Sequence, residues 1–172
     1  MKRFFIGLVV VLWLGVPVHH IEANEFDTII SMQGKDSATY YIQGNISGYG
    51  TVELMVDTGS GYLTINEETL AVLKQEKRIR YVKDLRGILA DGREMIVPVY
   101  SVSAIRLGKN CWLRDVEAAV FPGRTRHILG LSALQRAAPF IFSVDPPQLV
   151  LSHCDSAPDN ILSKTNAFST AN

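Results

Sequence analysis

The decapeptide VDTGSGYLTI, residues 56–65, ends one apolar run at a carboxylate and then begins another. The preceding segment TVELMV, residues 51–56, alternates apolar and polar positions, which predicts a half-buried strand. That strand leads straight into Asp57. Gly59 and Gly61 follow closely, and glycine lets the backbone fold back beneath a neighbouring side chain where larger residues resist it.

Thr58 and Ser60 add two hydroxyl groups beside Asp57. An aspartate at a strand end is often only a turn residue whose carboxylate accepts hydrogen bonds from nearby backbone amides. A carboxylate that ends a buried strand is poorly solvated, however, and it needs polar neighbours. We therefore interpret Asp57 as a partly desolvated carboxyl group that points into a cleft.

The remainder of the chain predicts a mainly β domain with two short helices. Asn66 is a suitable N-cap for the first helix, and we expect Ser132 to cap the second, after a strand that breaks at Gly130. The turn Ala90–Gly92 lies between two strand-like runs and predicts a hairpin. The basic residues between Lys74 and Arg86 are interpreted as a solvated helix end and loop.

The N-terminus resembles a secretory signal in its layout. Lys2 and Arg3 precede the uncharged stretch Phe4–Val18, and Ala23 is a plausible cleavage position. The apolar stretch is shorter than the ~20 residues of a membrane-spanning helix, which favours cleavage over retention as an anchor. We therefore expect an exported protein of the bacterial periplasm or cell envelope, associated with the inner membrane only if the segment is uncleaved.

These signals divide the chain into four segments. They are a signal peptide or anchor (1–23), a lead segment (24–37), a folded domain (38–154) and a flexible polar tail (155–172).

Charge and cysteine content restrict the classes of partner. The 17 basic and 17 acidic residues cancel, whereas a protein that binds nucleic acid needs a basic surplus. Cys111 and Cys154 are the two cysteines, and export would permit their oxidation. Whether they pair within the chain, between chains or not at all is left open. No spacing typical of metal ligands occurs, so we expect no metal and no cofactor.

Two segments of the sequence resemble the signatures of aspartic proteases. VDTGS (56–60) resembles the active-site loop of that family, and HILGLSAL (127–134) resembles its second signature. Residues 89–121 are similar to the flap hairpin and following strands of single-domain bacterial retropepsin-like proteases. Residues 140–151 resemble their C-terminal segment. The chain departs from many relatives at Gly61 and Tyr62, and we expect Tyr62 to pack in the core rather than narrow the cleft.

This resemblance implies a mainly β, closed retropepsin-like barrel with a flap hairpin and one or two short helices. It also implies an aspartic endopeptidase that hydrolyses polypeptide substrates. Such chemistry needs two carboxyl groups, and the chain has no duplicated half. The resemblance therefore implies a homodimer in which Asp57 from each copy meets at the two-fold axis.

The resemblance further implies roles for the neighbours of Asp57. Thr58 would hydrogen-bond across the dimer, Gly59 would let a backbone amide approach the carboxylate, and Ser60 would donate to an outer carboxylate oxygen. The second signature loop comprises Ile128, Leu129 and Gly130. The flap would close over substrate through the residues of its tip, which are Ala90, Asp91, Gly92 and Arg93.

Two other functions compete with this interpretation. One is a catalytically silent, dimeric retropepsin-like binding module in the cell envelope. The other is a periplasmic β-barrel for a small ligand, with Asp57 as an anchor for a cation or amine. The second alternative explains the strands but neither the Thr-Gly-Ser sequence nor Ile-Leu-Gly.

Overall fold

The computed structural model describes residues 26–35, 39–88, 92 and 94–157. Within these residues the chain forms eleven strands, two α-helices and a 3₁₀ turn. The strands are β1 (Thr28–Ser31), β2 (Gln33–Lys35), β3 (Thr39–Ile46), β4 (Gly50–Val56), β5 (Leu63–Asn66), β6 (Ile79–Ile88), β7 (Glu94–Leu107), β8 (Cys111–Phe121), β9 (Ile128–Leu129), β10 (Phe140–Val144) and β11 (Pro147–Leu151). The helices are α1 (Glu67–Gln75) and α2 (Leu131–Leu134), and the 3₁₀ turn is Gln135–Ala137.

Six of these strands form a closed ring. Strand β3 pairs with β4, which pairs with β9, and then follow β5, β8 and β7. Strand β7 returns to β3 through the pairs Gly44 with Leu107 and Ile46 with Ile105. The expected mainly β fold class is therefore confirmed, and the sheet closes on itself as a barrel does.

The interior of the ring is filled by branched apolar side chains. The expected alternation in β4 is present, because Val52, Leu54 and Val56 are buried while Thr51 is exposed. The bulkiest fully buried residues are Ile42, Ile46, Leu54, Leu63, Ile65, Leu73, Ile105, Leu107, Leu113, Leu129, Leu134 and Leu149.

Helix α1 begins as the sequence predicts. The Asn66 side chain accepts a hydrogen bond from the Thr69 backbone N–H at 2.9 Å, and Glu67 and Glu68 occupy the first turn. Leu73 is fully buried, so it attaches the helix to the barrel. No helix in the described part of the chain has both the length and the apolar character needed to span a bilayer.

A second sheet has the order β1-β11-β10. Strands β1 and β2 lie in the expected lead segment, where no strand was predicted.

A disulfide between Cys111 and Cys154 resolves the question of pairing in favour of an intrachain bond. The Asp155 N–H also bonds the Trp112 carbonyl oxygen at 2.8 Å, so the expected tail is attached at its first residue. Its remainder beyond residue 157, like the expected signal segment 1–23, lies outside the described residues.

Two local predictions are wrong. The basic stretch is not a loop, because β6 begins at Ile79, immediately after the helix end. Ser132 does not cap α2 either. The N-cap of that helix is Gly130, and Ser132 lies inside the helix, where its hydroxyl contacts other strands.

Candidate active site

Asp57 lies at the open end of β4, where the backbone leaves the sheet. Its N–H donates to the Leu129 carbonyl at 3.1 Å, which continues the parallel pairing of β4 with β9. The Gly59 N–H donates to Asp57 Oδ1 at 2.9 Å, and the Ser60 N–H donates to the Asp57 carbonyl at 3.2 Å. The side chain is half-buried, so one carboxylate oxygen is oriented by the protein while the group remains accessible.

The second signature segment, residues 127–134, holds the Asp57 loop through backbone hydrogen bonds. The Leu131 N–H donates to the Ser60 carbonyl at 2.8 Å, and the Ser132 N–H donates to the Gly61 carbonyl at 3.0 Å. A Cβ atom at Gly130 would lie 2.2 Å from the Tyr62 carbonyl oxygen, far inside van der Waals contact. Only glycine lets the two segments approach this closely. Ile128, Leu129 and Gly130 therefore lie beside Asp57, where the sequence predicted a second signature loop.

Ser132 is a structural residue that the sequence analysis misassigned. Its hydroxyl accepts from the Leu63 N–H at 2.8 Å and donates to the Glu117 carbonyl at 2.6 Å. One side chain thereby joins β5, β8 and α2. The register of these strands is needed to recognise this role, which the local sequence does not reveal.

The neighbours of Asp57 differ in how well they match the expected contacts. The backbone amide expected at the carboxylate is present and belongs to Gly59. Ser60 departs from expectation, because its hydroxyl donates to the Tyr62 carbonyl at 3.0 Å rather than to Asp57. The turn directs the Ser60 hydroxyl toward the residues that follow it in the loop, where the Tyr62 carbonyl accepts its hydrogen bond. Thr58 is exposed, so its hydroxyl is available for a contact outside the chain.

Tyr62 packs against a small apolar cluster at the base of the β6–β7 hairpin. The buried members of this cluster are Val97, Val99 and Ala119. The Lys83 ammonium lies 5.5 Å from the centre of the Tyr62 ring and 3.1 Å from Glu117 Oε2. Tyr62 therefore contributes to packing, as the sequence analysis expected.

His127 fixes the start of the second signature segment. Its Nε2 lies 2.9 Å from the Thr69 hydroxyl on α1, and its carbonyl accepts from the Met55 N–H at 3.0 Å. Burial lowers the pKa of the His127 imidazole, because desolvation disfavours the charged ring. The neutral ring links α1 to the β4–β9 pair that carries Asp57.

The hairpin formed by β6 and β7 is present where a flap was expected. The two strands pair from Ile79 with Val102 to Ile88 with Glu94. Of the expected tip residues, Gly92 is exposed and has a φ of 81°, a left-handed conformation that favours glycine. Ala90, Asp91 and Arg93 lie outside the described residues.

Arg126 contacts the face of the sheet on which the Met55 side chain lies, and no local sequence pattern predicts this contact. Its Nη1 donates to the Tyr41 hydroxyl at 3.3 Å and lies 3.8 Å from Met55 Sδ. Met55 precedes Asp57 by two positions. Only the pairing of Met55 with Ile128 reveals this proximity, because the sequence places Arg126 in a loop far along the chain.

A cavity of about 530 Å³ lies elsewhere. It is lined by β1 and by the turn that contains Lys109, and it does not include Asp57. Asp57 itself is half-buried, so part of its side chain is accessible from solvent in the single chain.

Comparisons with known proteins bear on the family and the fold, and they confirm the retropepsin-like fold class. The profile of the family described as "gag-polyprotein putative aspartyl protease" matches residues 42–136, more than half of the chain. The crystal structure of a retropepsin-like aspartic protease from Rickettsia conorii is similar in fold, with a TM-score of 0.54 and 20% identity over 76% of this chain and 92% of that one. The retroviral protease-like domain of Ddi1 from Leishmania major gives a TM-score of 0.48 and 17% identity over 70% and 94% of the two chains. No curated protein sequence matches the chain significantly.

Proposed function

The chain belongs to the family described as gag-polyprotein putative aspartyl protease, and from this premise we propose that it is an aspartic endopeptidase that acts as a homodimer. The observation that carries the proposal is the placement of Asp57. Its carboxylate is held by the Gly59 N–H on a loop that the second signature segment fixes through two backbone hydrogen bonds. A structural turn aspartate needs no such support from a distant segment.

The dimer follows from the need for a second carboxyl group. The chain carries one Asp-Thr-Gly sequence, and Asp57 is accessible at the surface of the single chain. A two-fold axis beside the loop would bring Asp57 of a second copy against the first. The exposed Thr58 is then available to hydrogen-bond the loop of that second copy.

The mechanism uses one proton shared between two carboxyl groups, because two carboxylates in contact do not both ionise easily. The ionised Asp57 removes a proton from a water molecule, whose oxygen attacks the scissile carbonyl carbon. The protonated Asp57 of the other copy hydrogen-bonds the carbonyl oxygen. When the C–N bond breaks, the proton taken from water passes to the leaving nitrogen. Water is thus divided between the new carboxyl and the new amine.

We also propose that the protein acts outside the cytosol. The Cys111–Cys154 disulfide supports this location, since disulfides persist in oxidising compartments and are rare in the cytosol.

The test combines peptide cleavage with the oligomeric state of residues 24–172. We expect the wild type to sediment as a dimer and to cleave members of a mixed peptide library, and Asp57→Asn to dimerise without cleaving. Asp115→Asn is a matched control, because Asp115 is exposed and has a φ of 49° that asparagine tolerates. It should retain wild-type activity.

Mixing the two proteins tests whether both copies contribute a carboxyl group. With free exchange at equal amounts, only about a quarter of dimers keep two Asp57 side chains, so activity per wild-type chain should fall to about half. Activity that does not fall would contradict a shared dyad. Dimers that never cleave would instead support a silent binding module.

A further inference from the structure

Arg126 lies on the face of the sheet that also carries Asp57. Its guanidinium contacts Tyr41 and Met55, which are cross-strand partners on β3 and β4 and therefore point to the same side of the sheet. Side chains two positions apart on a strand share a face. Asp57 is the first residue after β4 and follows Met55 by two positions, and its N–H still pairs with the Leu129 carbonyl, so the alternation extends to it. The guanidinium therefore lies beside the strand segment that leads to the carboxylate.

The separation along this path suits an extended peptide. Two residues of a strand span about 6.6 Å, so Met55 and the Arg126 guanidinium that contacts it lie about that distance along the strand from Asp57. A substrate bound in extended form has the same spacing. A side chain one or two positions from the scissile bond can therefore reach Arg126.

The charge of Arg126 is not neutralised within the described part of the chain. Lys35, Lys83, Arg86 and Arg124 each lie within 4.0 Å of a glutamate there, whereas Arg126 has no carboxylate within that distance. Its contacts are a phenol and a thioether, which carry no charge. Lys35 also contacts Tyr41, with its ammonium 4.7 Å from the ring centre, and it is paired with Glu53 at 2.6 Å.

From this geometry we infer that Arg126 selects peptides that carry an aspartate or glutamate beside the scissile bond, an inference that rests on the proposed proteolytic function. A guanidinium presents paired N–H groups that match the two oxygens of a carboxylate. In a two-fold dimer the second copy supplies Arg126 on the other side of the bond, so acidic residues are favoured on both sides.

The experiment uses pairs of otherwise identical peptides with glutamate or glutamine at one or two positions from the scissile bond. We expect wild-type kcat/KM to favour the glutamate peptide by on the order of ten-fold, mainly through KM, as a charged hydrogen bond provides. Arg126→Gln should bring this ratio close to one, and Arg126→Glu should reverse it in favour of lysine peptides. Added salt should weaken the preference of the wild type, because ions screen the pair.

Arg124→Gln is the matched control. Arg124 lies two residues earlier on the same loop, is exposed, and sits 3.8 Å from Glu68, so its removal should leave the glutamate preference unchanged. A wild type without the preference, or a preference that survives Arg126→Gln, would overturn the inference while leaving the proteolytic function intact.

If the wild type cleaves no peptide, the proposed function fails, and binding of the same fluorescent peptides to the wild type decides the role of Arg126. Glutamate-selective binding that Arg126→Gln abolishes would show that Arg126 still recognises acidic side chains of a bound peptide. Equal binding of both peptides, or no binding, would reject it as well.

Discussion

The loop that carries Asp57 and the outer part of the β6–β7 hairpin, residues 84–88 and 94–98, differ in what holds them. The loop receives backbone hydrogen bonds from Leu131 and Ser132, and Gly130 lies directly against it. Among the described residues, the outer hairpin strands pair only with each other, because the pairing of β7 with β8 begins at Val99. Pro98, which lacks an N–H, occurs at this boundary.

The outer hairpin also has more exposed side chains than the interior strands of the barrel. Ile96 is 68% exposed, and the Arg86–Glu94 ion pair of 3.0 Å is open to solvent. The loop thus receives backbone hydrogen bonds from a segment far away in sequence, whereas the outer hairpin strands pair only with each other and contact the rest of the fold through side chains such as the buried Val97. A segment with fewer backbone bonds to the rest of the fold opens at lower cost, as the expected flap would need to do.

The largest effect on stability is expected at Gly130, where the second signature segment lies closest to the Asp57 loop. Gly130→Ala should lower the free energy of unfolding by about 3 kcal/mol or more and abolish cleavage, because the new methyl group meets the Tyr62 carbonyl at 2.2 Å. Urea unfolding measures the loss. Gly61→Ala is the control on the same loop, since its Cβ would meet no atom within 4 Å, and it should change stability by less than about 1 kcal/mol. Similar effects from both variants would show that the loop is not tightly supported.

An intermediate effect is expected at Ser132. Ser132→Ala removes two hydrogen bonds and leaves the Leu63 N–H without its acceptor, which should cost about 1–3 kcal/mol of unfolding free energy. The comparison variant is Ser103→Ala, because the buried Ser103 hydroxyl has no hydrogen-bond partner among the described residues. That change should be close to neutral in thermal and urea unfolding. If Ser132→Ala proved as stable as Ser103→Ala, the Ser132 hydroxyl would not contribute to holding the loop and its neighbouring strands in place.

The smallest effect on stability is expected in the outer hairpin. Ile96→Thr retains a β-branched side chain at an exposed site, so the free energy of unfolding should change by less than about 0.5 kcal/mol. If the hairpin covers substrate, KM for cleaved peptides should rise while folding is unaffected. A large loss of stability would mean that the outer hairpin is as firmly packed as the loop.

Much of the fold could be predicted from local patterns. The alternation of β4, the Asn66 cap and the pairing of β6 with β7 depend on neighbours in sequence, and the structure has all three. Strands β1 and β2 are only four and three residues long, so their own sequences carry too little signal, and partner strands define them.

The candidate site divides in the same way. Asp57 and the Ile-Leu-Gly segment could be predicted because their sequences are distinctive. The contacts of Ser132 and Arg126 depend on which distant strands lie beside them, and no local pattern encodes this. Ser60 differs from the prediction for a local reason, because its hydroxyl bonds the Tyr62 carbonyl two residues along the loop. The cysteine pairing likewise required the 4.8 Å separation of the two Cα atoms in the folded chain.

The closed ring of strands has a consequence for how the chain folds. Its closing pairs join Gly44–Ile46 to Ile105–Leu107, segments separated in sequence by about half of the domain. The β3–β4 and β7–β8 hairpins can form early from neighbouring residues, but the ring is complete only after β5 and β9 have been inserted between them. Conformational entropy is therefore lost before the last contacts compensate for it, and the chain belongs among the slow folders of high contact order. A nascent chain would expose both hairpins until residues beyond Leu129 emerge, so the loop that carries Asp57 is completed late in folding.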